Sequence, residues 1–332
     1  MTPETHIAVL CGGVGAARFL RALARVVPAQ HITAVVNTGD DTVLHGLHIS
    51  PDLDTITYTL ADAIDPERGW GLIDESWRAL GALERYEAVR PHGSSAGGTW
   101  FGLGDQDLAT HFYRTARLQE GARLTDITAE ISRAWGLDFR LLPMADELAP
   151  TMVSVNPDDD PGTDGNGLIS FQEYFVRHRH SIPVRKLHLG SISTPPTPEV
   201  SAAISTADVV VIAPSNPFVS VGPIRSLPGI DAALSTRRDS VVAISPLVGG
   251  AAIKGPAADM MSAFGFRTDA SGIAEVYRDI CGHLVIDEVD GALSGAVTET
   301  GLSATVTNTM MGDPMVDERL ARATLTAAGI DL

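Results

Sequence analysis

Short apolar runs alternate with amphipathic stretches along this chain. HIAVL at 6–10 is apolar and β-branched and runs into Gly12 and Gly13, the pattern of a buried strand. AARFLRALARVV at 16–27 spaces its apolar residues at helical intervals and meets Pro28, a stop signal. HITAVVNT at 31–38 predicts a second buried strand. Strand, helix and strand in that order open a parallel sheet with a right-handed crossover.

Residues 54–137 predict mostly helix. DESWRALGALERYEAV at 74–89 puts Leu80, Leu83 and Tyr86 on one face. DLATHFYRTARLQEG at 107–121 ends in Gly121, and LTDITAEISRAWG at 124–136 starts with Thr125 as its expected N-cap. Strand character returns at 139–144 and 151–155. NPDDDPGTDGNG at 156–167 is turn chemistry without the spacing of a calcium loop. LISFQEYFV at 168–176 then predicts the returning strand. Buried strands recur at 207–217, 240–250 and 283–287, with helices near 256–264, 272–281 and 318–329, and a last strand at 306–311. The expected fold is α/β: a doubly wound, mostly parallel, Rossmann-like sheet with an inserted helical subdomain. One domain over residues 1–332 carries the helical subdomain at about 54–137 and a hairpin excursion at about 150–180.

Composition narrows the function. The 332 residues are 44% hydrophobic and carry a net charge of −17, which argues against nucleic acid as a partner. A phosphate-bearing substrate would need backbone dipoles or a cation to help it bind. The chain contains no apolar run of about 18 residues, and its start lacks a basic n-region. Cys11 and Cys281 show no metal spacing, and Cys11 reads as core. The expectation is therefore a cytoplasmic protein without a membrane span.

In such folds ligands bind at the carboxyl ends of the strands. Strand one ends in CGGVGAAR at 11–18, where Gly12, Gly13 and Gly15 let backbone N–H groups approach a phosphate. The dinucleotide fingerprint is imperfect, and a plain structural turn explains the loop as well. Strand two runs into NTGDDTVLHGLHISPDLDT at 37–55, which holds Asp40, Asp41, Asp52 and Asp54, with no Lys or Arg from 26 to 67. Crowded carboxylates repel one another, and Mg²⁺ would relieve that cost. Separate roles as caps and turn residues are the other reading, with Asp54 capping the helix that begins ITYTLADAI. APSNP at 213–217 supplies Ser215 and Asn216. AISPLVGGAAIKGP at 243–256 supplies Lys254, one of two lysines in the chain, either a phosphate partner or a surface residue. In FGLGDQDLATH at 101–111, Asp105 or Asp107 could cap the following helix, and His111 could be core or surface.

These motifs together resemble the 2-phospho-L-lactate transferase family of coenzyme F-420 biosynthesis, whose actinobacterial members are phosphoenolpyruvate transferases. The resemblance runs over GGVGAARFL at 12–20, VVNTGDDT at 35–42, HGLHISPDLDT at 45–55, IDPERGWG at 64–71, GLGDQDLATH at 102–111, APSNPFVSVGPI at 213–224 and the ISP…KGP segment at 244–256. It implies transfer of a phospholactyl or enolpyruvyl-phosphate unit from a guanosine diphosphate-linked donor to the deazaflavin precursor Fo. GMP leaves, (dehydro) coenzyme F-420-0 forms, and Mg²⁺ is required. It further implies nucleotide or phosphate contacts at Gly12, Gly13, Gly15, Ser215, Asn216 and Lys254. Metal would lie on Asp40, Asp41, Asp52 and Asp54, with catalysis by Asp52 and Asp54. Fo would contact Asp52, Asp105 and Gln106, and the protein would be a homodimer. Gln106 stands where many relatives carry arginine. A group sharing the core, which binds nucleotide-sugars and regulates rather than catalyses, is the alternative. A nicotinamide oxidoreductase rests on the first glycine loop alone.

Overall fold

The computed structural model describes residues 5–91, 94, 96, 98–159 and 167–331. Most of the acidic loop predicted at 156–167, and part of the loop near residue 95, lie outside them. Seven strands form one parallel sheet: β1 (Ile7–Cys11), β2 (Ile32–Val36), β3 (Arg140–Pro143), β4 (Val209–Ile212), β5 (Val241–Ile244), β6 (His283–Ile286) and β7 (Ser303–Val306). Their order is β7-β6-β5-β4-β1-β2-β3. The chain winds outward from β1 to β3, then returns to β4 on the other side of β1. Leu10 accordingly lies between Val35 of β2 and Ile212 of β4. The β1/β4 junction is the topological switch point, where ligands of doubly wound sheets bind.

Both faces of the sheet are covered, so its strands read as unbroken apolar runs. One face buries Ala8, Leu10, Val35, Val210 and Ile212 with the helices at Pro198–Thr206 and Ala270–Tyr277. The other buries Val9, Cys11, Val36 and Val211 with helix α1 (Gly13–Leu23), helix α2 (Pro51–Leu60) and the helix Pro314–Ala327. Between β2 and α2 lies a hairpin of Thr42–Leu44 and Leu47–Ile49, turned by His45 and Gly46 at positive φ. Helices α3 (Arg78–Glu87), α4 (Asp107–Gln119) and α5 (Leu124–Ala134) lead on to β3. A three-stranded antiparallel sheet of Thr151–Ser154, Leu168–Ser170 and Lys186–Leu189 follows β3.

Several local expectations are corrected. Helix α1 begins at Gly13, not Ala16, because the glycine loop is itself the first turn. The expected N-cap Thr125 lies inside α5, because Asp146 accepts its N–H at 2.9 Å and its hydroxyl at 2.8 Å from outside the helix. Asp54 does not cap a later helix; α2 starts earlier, with Pro51 in the first turn, where its missing N–H costs nothing. The strand expected at 168–176 stops at Ser170, whose hydroxyl accepts the Glu173 N–H, and a π-helical turn follows at Glu173–Arg177. The apolar face expected on α3 is not core: α3 has no buried residue, and Tyr86 is exposed. The last strand ends at Val306, because Asp287 takes the N–H and hydroxyl of Thr309 and turns the chain.

Candidate functional site

The loops after β1 and β4 interlock at the switch point. A Cβ on Gly15 would lie 2.4 Å from the Pro214 carbonyl oxygen, and one on Gly12 would lie 2.5 Å from Asp52 Oδ2. Only glycine allows this approach. The Ser215 hydroxyl donates to the Gly12 carbonyl at 2.8 Å. The Asn216 carbonyl oxygen accepts the Phe218 N–H at 2.9 Å. These two side chains shape the loop as well as lining the cavity of about 510 Å³ beside it. Trp70, Phe101, Phe171 and Phe175 supply aromatic walls, and Asp40, Asp52 and Asp54 line the same space.

Asp52 sits in the first turn of α2, aimed back at the glycine loop. Its Oδ1 accepts the Gly13 N–H at 2.8 Å and its Oδ2 accepts Asn37 Nδ2 at 2.9 Å. Asn37 in turn accepts the Gly39 N–H at 2.9 Å. One carboxylate thereby joins the ends of β1 and β2 to α2. Burial pushes Asp52 up to about 6, against the hydrogen bonds from Asn37 and Gly13. Burial, then the charges of Asp52 and Asp41, push Asp40 well above the usual carboxylate range. Asp41 is raised by burial too, against His48 at 3.0 Å and Ser50 at 2.7 Å. Oδ1 of Asp40 and Oδ1 of Asp41 are buried without a hydrogen-bond partner. Each is an uncompensated buried oxygen, which costs free energy until a donor or a cation meets it.

This crowding has a consequence for stability. An acid whose native pKa is raised binds more protons folded than unfolded, so stability falls as pH rises from the ordinary value towards the raised one. For Asp52, raised from 3.8 to about 6, the full effect is about 3 kcal/mol. Of this, about 1 kcal/mol falls between pH 5 and 7. Urea unfolding of metal-free protein should show this decline, and Asp52→Asn should make it shallower, leaving the share that the raised Asp40 and Asp41 contribute.

Asp54 is held differently. Arg114, on α4 and 1% exposed, clasps it with two nitrogens; the Nη1–Oδ2 distance is 3.1 Å and the second contact joins Nη2 to Oδ1. His111 Nδ1 lies 3.6 Å from Asp54 Oδ2, and its Nε2 lies 3.3 Å from Asp107 Oδ2. Asp107 also accepts the Tyr58 hydroxyl at 2.5 Å. The acidic stretch therefore does have a basic partner, 60 positions away. Arg114 escaped the sequence reading, although Asp107, His111 and Arg114 share one helical face at i, i+4 and i+7.

Asp105 and Gln106 take no part in lining the cavity. The Asp105 carboxylate accepts the N–H groups of Arg78 and Ala79, capping α3 rather than the helix that follows it. Glu75 caps α4 instead, accepting from the N–H groups of Gln106 and Asp107. The Gln106 side chain donates to the Asp74 carbonyl at 3.1 Å. Phe101, Gly102 and Asp107 of the same segment do reach the cavity. Lys254 lines its rim, exposed, with Nζ packed close to Gly69.

The family model described as 2-phospho-L-lactate transferase CofD matches residues 7–309. The chain belongs to that family. A phosphoenolpyruvate transferase of Mycobacterium marinum is 39% identical over 341 residues, covering 98% of this chain and 99% of the relative. Those of Streptomyces coelicolor and Nocardia farcinica are 38% and 37% identical, over 97% and 98% of this chain and 98% and 95% of the relatives. Among solved structures, a UPF0052 family protein from Bacillus halodurans superposes with a TM-score of 0.60 at 16% identity, covering 98% of this chain and all of that one; this is a likeness of fold. The family member described here is thus an enzyme of coenzyme F-420 biosynthesis that transfers a phosphate-containing group. No helix among the described residues is long and apolar enough to cross a membrane.

Proposed function

We propose that the enzyme transfers a phospholactyl or enolpyruvyl-phosphate unit from a guanosine diphosphate-linked donor to the terminal ribityl hydroxyl of Fo. The hydroxyl oxygen bonds to the phosphorus bearing the acid, the bridging P–O bond breaks, and GMP departs. The hydroxyl proton passes to a carboxylate of the SPDLDT segment, Asp52 or Asp54. The product is (dehydro) coenzyme F-420-0.

The observation that carries this reading is the pair of buried carboxylates beside the glycine loop, Asp40 and Asp52, for which no basic partner stands among the described residues. Asp40 and Asp52 line the cavity, and the orphaned Oδ1 of Asp40 suits a divalent cation. Asp40 and Asp52, with Asp41 behind them, would hold Mg²⁺. The ion supplies charge neutralisation for the diphosphate and the leaving GMP. The chain does the rest. Gly13, beside which nothing lies within 4 Å of where a Cβ would stand, leaves phosphate oxygens room at the backbone, and Lys254 offers a positive rim. The four aromatic walls suit two flat rings, guanine and deazaflavin.

Incubation with Fo, Mg²⁺ and lactyl- or enolpyruvyl-diphosphoguanosine should yield GMP and a phosphodiester of the expected mass. Folded protein that forms neither with either donor, yet is stabilised by a nucleotide-sugar, would overturn the proposal.

A further inference from the structure

We propose that Arg114 is a built-in cation standing at what would otherwise be a second divalent-metal position. One ligand atom each from Asp54, Asp107 and His111 lie within 4.8 Å of one another. Two carboxylates and an imidazole are a common donor set for a transition metal. All three line the cavity. His111 is buried, and its Nε2, though 3.3 Å from Asp107 Oδ2, lacks an aligned hydrogen-bond partner.

The guanidinium already occupies this cluster. It clasps Asp54 and places Nη1 3.3 Å from His111 Nδ1. Arginine only donates, so Nδ1 accepts and is unavailable to a metal. Nη1 also reaches the His48 carbonyl at 3.4 Å, tying the cation to the hairpin after β2. A guanidinium cannot dissociate and stays charged at every working pH. A positive charge so close to the three donors excludes a second one. The carboxylates left to an exchangeable ion are Asp40 and Asp52. In the transfer reaction, on the reading above, Arg114 is a positioning residue: it fixes Asp54 and keeps the site to one ion.

The test counts ions on metal-stripped, nucleotide-free protein by Mn²⁺ electron paramagnetic resonance. Arg114→Ala should bind one more Mn²⁺ per chain than the wild type. Arg114→Lys, which keeps a cation, should match the wild type. Adding His111→Ala to Arg114→Ala should remove the extra ion. Mn²⁺ should also raise the melting temperature of Arg114→Ala more than that of the wild type. The proposal fails if folded Arg114→Ala binds no extra ion, or if it cannot be refolded even with Mn²⁺ present. It fails equally if His111→Ala alone removes an ion from protein that retains Arg114. These counts need neither Fo nor a donor. A wild type without transferase activity but with the expected counts would therefore sink the functional reading and leave this one standing.

Discussion

Asp52→Asn should lower the rate of transfer about 10³-fold, a loss of about 4 kcal/mol of transition-state stabilisation. That magnitude is what a correctly held Lewis-acid ion contributes at a transferring phosphoryl group. Among the described residues, Asp52 is the one carboxylate that both lines the cavity and bonds to the glycine loop. Asparagine keeps its size but removes its charge. Both carboxylate oxygens accept, one from Gly13 and one from Asn37. The new amide therefore sets a donor against a donor on one side. That mismatch costs about 1–3 kcal/mol, and relief from burying a charge offsets it. Melting temperatures close to that of the wild type, with GMP release nearly gone, would assign the loss to chemistry. Activity within tenfold of the wild type would remove Asp52 from both metal binding and proton transfer.

The legible and illegible parts of this protein divide by distance along the chain. IAVLC was readable as a strand because burial on both faces leaves a plain apolar run. That the site would lie at the carboxyl ends of the strands was expected as a rule for the fold, yet the neighbours of β1 were not readable. β4 pairs with β1 from about 200 positions away, and strand propensity is silent about partners. The aspartates stood out as a cluster, but their separate fates did not. Asp52 goes to a glycine N–H, Asp41 to His48 and Ser50, and Asp54 to a guanidinium. Asp105 shows the limit of local rules. It precedes a helix and looks like its cap, but the start of α3, 27 positions upstream, takes it. Nothing local marks Arg114 out from the other arginines of the chain, since only tertiary structure turns it inward.

Asp54→Ala is the change expected to cost most in stability, about 3–5 kcal/mol, because it leaves the Arg114 charge buried without its partner. In the native protein burial, the largest single influence, would lower the pKa of Arg114; the charge and hydrogen bonds of Asp54, with help from Asp41 and Tyr58, together outweigh it and the net shift is upward. Once Asp54 is gone, Asp41 is the next acidic influence on that charge, and it is already bonded to His48 and Ser50. Urea denaturation of Asp54→Ala, Arg114→Met and the double variant separates the causes. Either single change strands one buried charge, whereas the double variant strands none and should be more stable than Asp54→Ala. A double variant no better than Asp54→Ala would mean that the loss comes from packing around α2. The cycle also bears on function. If the double variant folds but transfers poorly, Asp54 is needed for its own position in the cavity. Recovered activity would mean that its task was to neutralise Arg114 and no more.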